Sequence, residues 1–162
     1  MSAAAVWEIN GSPARLCLLA ASASALVIAL ADGLSPLYEE GTRLIPGVAH
    51  VEHALNTGVS FSFLEAHPAL AAVFSVLALI CLCVFALFAP MSRPKRLLLS
   101  AAWAGGACNL FSRLRFGFVR DWIRLDFVPF PVFNCADIFI TAGLLLFAFS
   151  ILIRKEGSRD AV

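Results

Sequence analysis

The stretch ALAAVFSVLALICLCVFALFA, Ala69 to Ala89, runs 21 residues without a charge and is bracketed by Pro68 and Pro90. A helix rises about 1.5 Å per residue, so this segment is long enough for a hydrocarbon core of roughly 30 Å. Three shorter uncharged runs flank it. Leu16 to Ala31 lies between Arg15 and Asp32; Leu97 to Phe111 follows Arg93, Lys95 and Arg96; Ile138 to Ile153 lies between Asp137 and Arg154. Each falls short of the roughly 20 residues a crossing requires, so these helices must take in polar residues at one end. Arginine and lysine can snorkel back to water, but aspartate and asparagine reach less far. The reading is a mostly α membrane protein with four transmembrane helices, over about 14–34, 69–89, 96–113 and 137–154, in a single domain of residues 1–162.

Composition agrees. Of the 162 residues 60% are hydrophobic and 14% charged, an apolar excess over a soluble domain that has to face lipid. A net charge of +1 provides no field for recruiting nucleic acid, and that class of partner is set aside. The five cysteines (Cys17, Cys81, Cys83, Cys108, Cys135) are scattered through apolar runs without paired C-x-x-C spacing, so they read as small hydrophobes.

With both termini in the cytoplasm, the inner side holds Arg15, Arg93, Lys95, Arg96, Arg154, Lys155 and Arg159. The outer side then holds Arg43, Arg113, Arg115, Arg120 and Arg124, so the positive bias favours N-in, C-in. Ala29-Leu30-Ala31 looks like a signal-peptide cleavage site. Its n-region offers only Arg15 offset by Glu8, and its apolar run is long, so it is read as a retained span.

This orientation gathers polar groups. Asp32 ends the first span, Asn109 and Arg113 end the third, and Asp137 begins the fourth, all near the outer interface. Asp121 lies 16 residues before Asp137 in the outer segment. Ionisable groups at a bilayer edge are costly and point to a site. Two carboxyls a few ångströms apart share a proton, which suits acid–base hydrolysis. The plainer alternative pairs Asp121 with Arg120 or Arg124 as solvated charge and makes Asp137 a helix cap. A proton relay would place acids at several depths, unlike these.

About 37 residues separate the first two spans, enough to fold on the membrane surface. Thr57, Val59, Phe61 and Phe63 alternate with small residues, and Val119, Asp121, Ile123 and Leu125 alternate with Arg120, Trp122 and Arg124. Such period-two patterns predict two strands that pair as a small interfacial sheet, stopped before the fourth helix by Pro129 and Pro131. The aromatics Phe61, Phe63, Trp122 and Phe127 suit either anchoring in the headgroup region or substrate contact. His50-Val51-Glu52-His53 lies in the expected outer loop and lacks H-E-x-x-H, so a surface role is expected in place of a metal site. His67 reads as an interface residue. Gly105-Gly106 reads as a helix-packing site, since no phosphate-binding pattern surrounds it.

Four pieces in order resemble the lipoprotein signal peptidases, the type II signal peptidases of bacterial inner membranes. They are Asn56-Thr57-Gly58-Val59-Ser60-Phe61-Ser62, Gly105 to Arg113, Val119-Arg120-Asp121-Trp122 and Phe133-Asn134-Cys135-Ala136-Asp137. The resemblance implies a four-helix enzyme with a periplasmic β-cradle and interfacial loops. It would cut prolipoproteins before the diacylglyceryl-modified cysteine, without metal or other cofactor, as a monomer in membrane lipid. It implies Asp121 and Asp137 as the catalytic pair. Asn56, Gly105, Asn109, Arg113, Asn134 and Ala136 match positions that bind substrate or line the site, with Asp32 and Gly58 as structural or ion-pair support. The sequence departs from the pattern at Gly33, Pro36, Ser60, Cys108 and Ser112; Pro36 stands where the family usually has lysine, and Ser112 where it has aspartate. An alternative is a catalytically impaired paralogue that binds lipid or lipoprotein.

Overall fold

A computed structural model describes residues 13–58 and 68–156. The expectations for Val59 to Phe63 and for His67 lie outside the described residues. Helix α1 (Pro13–Leu34) is followed by a short 3-10 turn, Ser35–Leu37, and then strands β1 (Arg43–Ile45) and β2 (Ala49–Asn56). Helices α2 (Pro68–Phe88) and α3 (Arg93–Phe116), strand β3 (Val119–Leu125) and helix α4 (Cys135–Glu156) complete the order. The short apolar runs do extend into polar flanks: α1 and α4 reach 22 residues each, and α3 reaches 24.

Helices α1, α2 and α4 are long and apolar enough to cross a membrane, whereas α3 is not. Its place in the bundle explains why. Helix α3 packs against all three others and buries Leu99, Ser100, Ala102, Ala104, Gly105 and Asn109, whereas α1 buries only Ile28. A helix shielded from lipid by its neighbours can carry polar groups that a lipid-facing one cannot. Its seam with α4 is close. A Cβ on Gly105 would collide with the carbonyl oxygen of Ala136, and one on Gly143 would sit 2.6 Å from that of Leu98. Small residues let the two backbones touch where lipid gives no hydrophobic drive for association. At the other end Arg96 donates to the carbonyls of Ala86, Leu87 and Ala89, satisfying groups that the end of α2 leaves open.

The three strands form one antiparallel sheet in the order β1-β2-β3. Its position corrects the expected pairing. The partner of β3 is Ala49–Asn56, with Asn56 opposite Val119 and Ala54 opposite Asp121; Thr57 and Gly58 have already left the ladder. The stretch His50 to His53 therefore lies in a strand, not a loop. A register shift between Val51 and Ala54 separates the two histidines, and they take different partners: His50 meets Asp126, and His53 meets the Tyr38 carbonyl. Alternation alone concealed β2, because its Val51 and Ala49 face inward among polar neighbours.

The cradle's core is Ala49, Val51, Trp122 and Ile123, flanked by Leu44, Leu125, Phe133 and Cys135. Trp122 is 7% exposed and stacks on Tyr38 with ring centroids 6.0 Å apart, so it is not a headgroup anchor. Backbone N–H groups of Trp122 and Ile123 both donate to the Phe133 carbonyl, which returns the chain from β3 to the head of α4.

Candidate active site

Each acid is delivered by a different element. Asp121 sits two residues into β3, on the face turned away from solvent, and is 3% exposed. Asp137 is in the first turn of α4, where a carboxylate meets free N–H groups and the positive end of the helix dipole. Asn134 precedes the helix as its cap: its Oδ1 accepts from the Asp137 N–H at 2.9 Å, and its own N–H donates to Asp137 Oδ2 at 3.2 Å. This reciprocal arrangement is a capping box built from asparagine and aspartate. Asp137 thus does cap the helix, as the plainer alternative expected, while one of its oxygens faces elsewhere.

That second oxygen, Oδ1, accepts from Asn109 Nδ2 at 2.8 Å. Asn109 Oδ1 in turn accepts from Asn134 Nδ2 at 3.1 Å, and the same Nδ2 donates to Asp121 Oδ1 at 2.8 Å. Both hydrogens of one amide are therefore used, and a single buried asparagine links the two carboxyls. Asp121 Oδ2 accepts from Asn56 Nδ2 at 3.0 Å. No arginine bonds to Asp121 among the described residues: Arg120 is exposed, and Arg124 pairs with Glu52. The solvated ion pair expected by the alternative is absent there.

Burial pushes the Asp121 carboxyl up to about 6, against the opposing hydrogen bond from Asn56. That value already includes the charge of nearby Asp137, which also raises it, and the pull of Asn134 and the Arg113 guanidinium, which lower it. An acid poised near 6 can carry a proton or release one close to neutrality.

The remaining predicted residues divide by position. Arg113 donates through Nε to the Gly58 carbonyl at 2.9 Å, tying the chain that leaves β2 to the end of α3. Gly105 and Ala136 meet backbone to backbone in the α3–α4 seam, Ala136 at 0% exposure, and set how closely Asn109 approaches Asp137. Asp32 Oδ1 accepts from the Trp122 indole N–H at 2.8 Å and from the Cys135 N–H at 2.9 Å. It therefore grips the residue after Asp121 and the residue two before Asp137. The sequence reading missed Trp122 and Cys135 in this role. A buried indole N–H requires an acceptor, and Asp32 was the available one.

A cleft of about 440 Å³ opens beside this network between α1 and α3. Ile28, Ala29, Phe111 and Phe116 are among its apolar walls, while Asp32, Asn109, Ser112, Arg120 and Asn134 are its polar lining.

The family described as Signal peptidase (SPase) II matches residues 19–153, most of the chain. The chain belongs to the signal peptidase II family. Among its relatives, the lipoprotein signal peptidase of Microcystis aeruginosa is 34% identical over 114 residues, 70% of this chain and 74% of that protein. The lipoprotein signal peptidase of Caldicellulosiruptor bescii is 36% identical over 118 residues, covering 73% and 75% respectively. Two solved structures, each titled a bacterial membrane enzyme structure by the in meso method, share the fold. The one at 2.3 Å resolution has a TM-score of 0.75 at 21% identity, over 87% of this chain and 90% of that one. The one at 1.9 Å has a TM-score of 0.66 at 20% identity, over 88% and 94%. As a signal peptidase II family member, the chain carries its Asp–Asn–Asp network, with Asp121 and Asn134 buried and Asp137 half-buried, where helix and sheet meet.

Proposed function

We propose that this chain removes signal peptides from lipoproteins as an aspartyl endopeptidase, cutting immediately before the diacylglyceryl-modified cysteine. Membership of the signal peptidase II family supports the peptidase activity, and the names of the relatives support lipoproteins as substrates. The observation that carries the aspartyl mechanism is the hydrogen bonding of both Asp121 and Asp137 to Asn134.

In this reading the pair holds one proton. The ionised carboxylate draws a proton from a bound water as that water attacks the scissile carbonyl. The protonated carboxyl supports the developing oxyanion and then protonates the leaving amine. The two acids titrate together, so the roles belong to the pair. Asn109 and Asn134 hold the carboxyls in register. Arg113 supplies positive charge, and Asn56, whose buried Oδ1 lacks a hydrogen-bond partner among the described residues, offers an acceptor to a substrate N–H. Gly105 and Ala136 serve the site through helix approach, and Asp32 and Gly58 through anchoring of its walls.

The chain works as a monomer in the bacterial inner membrane, with both termini cytoplasmic and the pair toward the periplasm. The apolar cleft beside the network suits a substrate whose lipid chains stay in the bilayer. The test is to incubate purified protein with a diacylglyceryl-modified precursor and an unmodified control. Mass spectrometry should show cleavage of the modified precursor alone, with the lipidated cysteine as the new N-terminus. Equal cleavage of both, or a different cut site, would overturn the assignment.

A further inference from the structure

From Phe127 to Ala136 no residue carries a charge, and none does from Leu44 to Ala49. The structure places these two uncharged turns side by side at one end of the sheet, since the Asp126 N–H donates to the Val48 carbonyl at 2.9 Å. Both present apolar side chains outward. Phe127 is 68% exposed, Ile45 56%, Phe130 40%, Val48 39% and Val128 38%.

We infer that this paired tip, led by Phe127 and Phe130, inserts into the outer leaflet and anchors the sheet on lipid. Three observations name lipid as the occupant. The first is reach: Phe130 precedes Cys135, the first residue of a membrane-crossing helix, by five residues. At no more than about 3.6 Å per residue, Phe130 stays within roughly 18 Å of that helix end, close to the headgroup layer.

The second is the backbone. A segment entering lipid must satisfy its polar groups internally or lack them. Pro46, Pro129 and Pro131 have no N–H to satisfy. The N–H groups of Val48, Asp126, Phe130 and Phe133 are bonded within the cradle, to the carbonyls of Ile45, Val48, Val128 and Ile123. The third is the arrangement of charge. Directly behind the tip, His50 pairs with Asp126, and Arg124 pairs with Glu52, forming a polar band at the root of the apolar turns. An apolar tip above a charged band matches the layering of acyl chains and headgroups.

The experiment places tryptophan at the tip, as Phe127→Trp and separately Phe130→Trp, in nanodiscs of phosphatidylcholine with or without bromine near the head of the acyl chain. The emission gained over the parent protein should lose most of its intensity in brominated lipid and stay largely insensitive to aqueous iodide. Emission insensitive to bromine in both variants would overturn the inference. So would a blue shift that appears only when a prolipoprotein is added, because the tip would then be a substrate contact. Neither readout requires turnover, so loss of this inference and loss of the peptidase reading are distinguishable.

Discussion

Asn134 donates one side-chain hydrogen to Asp121 at 2.8 Å while its backbone N–H and carbonyl oxygen of the side chain engage Asp137. One residue thus serves as both helix cap and bridge between two acids, and the two duties can be separated by substitution. Asn134→Ser keeps an oxygen to accept from the Asp137 N–H but loses the bridging amide. It should retain most thermal stability while cleavage falls by about 10²-fold, the scale of a lost positioning contact. Asn134→Ala loses both and should also cost roughly 1–3 kcal/mol. Thermal midpoints and kcat/KM on a lipidated precursor check both. A serine variant with parental kcat/KM would deny the bridge any catalytic use.

Asp121 gives a pH signature. Its folded pKa near 6 exceeds an unfolded value of about 3.9, so its stabilising contribution is full below about 4 and lost as pH rises through about 6. Asp121→Asn removes the titration, and Asn56 Oδ1, which has no hydrogen-bond partner among the described residues, can turn to meet the new amide. The variant's thermal midpoint relative to the parent should therefore climb between pH 4 and pH 7. A difference that stays flat over that range would place the carboxyl in a less costly environment.

Asp32 is a structural clamp on both acid-bearing segments. Trp122→Phe keeps the stack on Tyr38 and loses one hydrogen bond, at about 1 kcal/mol. Asp32→Ala strands the indole N–H and the Cys135 N–H together and should cost about 2–4 kcal/mol. Thermal denaturation in detergent decides this. Equal losses from the two variants would mean that the Cys135 contact contributes nothing.

Gly105→Ala should be poorly tolerated because the added methyl meets the Ala136 carbonyl; roughly 1–3 kcal/mol is expected from forced separation of α3 and α4. Gly33→Ala is the control, since among the described residues nothing beyond its own helix backbone lies within 4 Å of a Cβ there. Similar thermal midpoints for the two would remove the close seam as a constraint.

The helices were legible because long uncharged runs have few alternatives to spanning a bilayer, and Asp121 and Asp137 stood out because acids beside such runs are costly. What the sequence concealed was held by contacts between distant residues. Strand β2 sets its inward Ala49 and Val51 among His50, Glu52 and His53, and the register shift after Val51 left too short a pattern to recognise. Trp122 looked like a surface aromatic until Asp32, 90 residues away, proved to hold its N–H. The low apolarity of α3 follows from its central place, which only the packing of the other three helices reveals. Asn134 was expected as a substrate contact by resemblance, and its linking of both acids depended on where β3 ends relative to α4.

The most direct measurement is kcat on a diacylglyceryl-modified precursor for Asp121→Asn and Asp137→Asn, each shown by its thermal midpoint to be folded. Paired acid–base action predicts that each substitution alone lowers the rate by at least about 10³-fold. Near-parental turnover in either folded variant would contradict it.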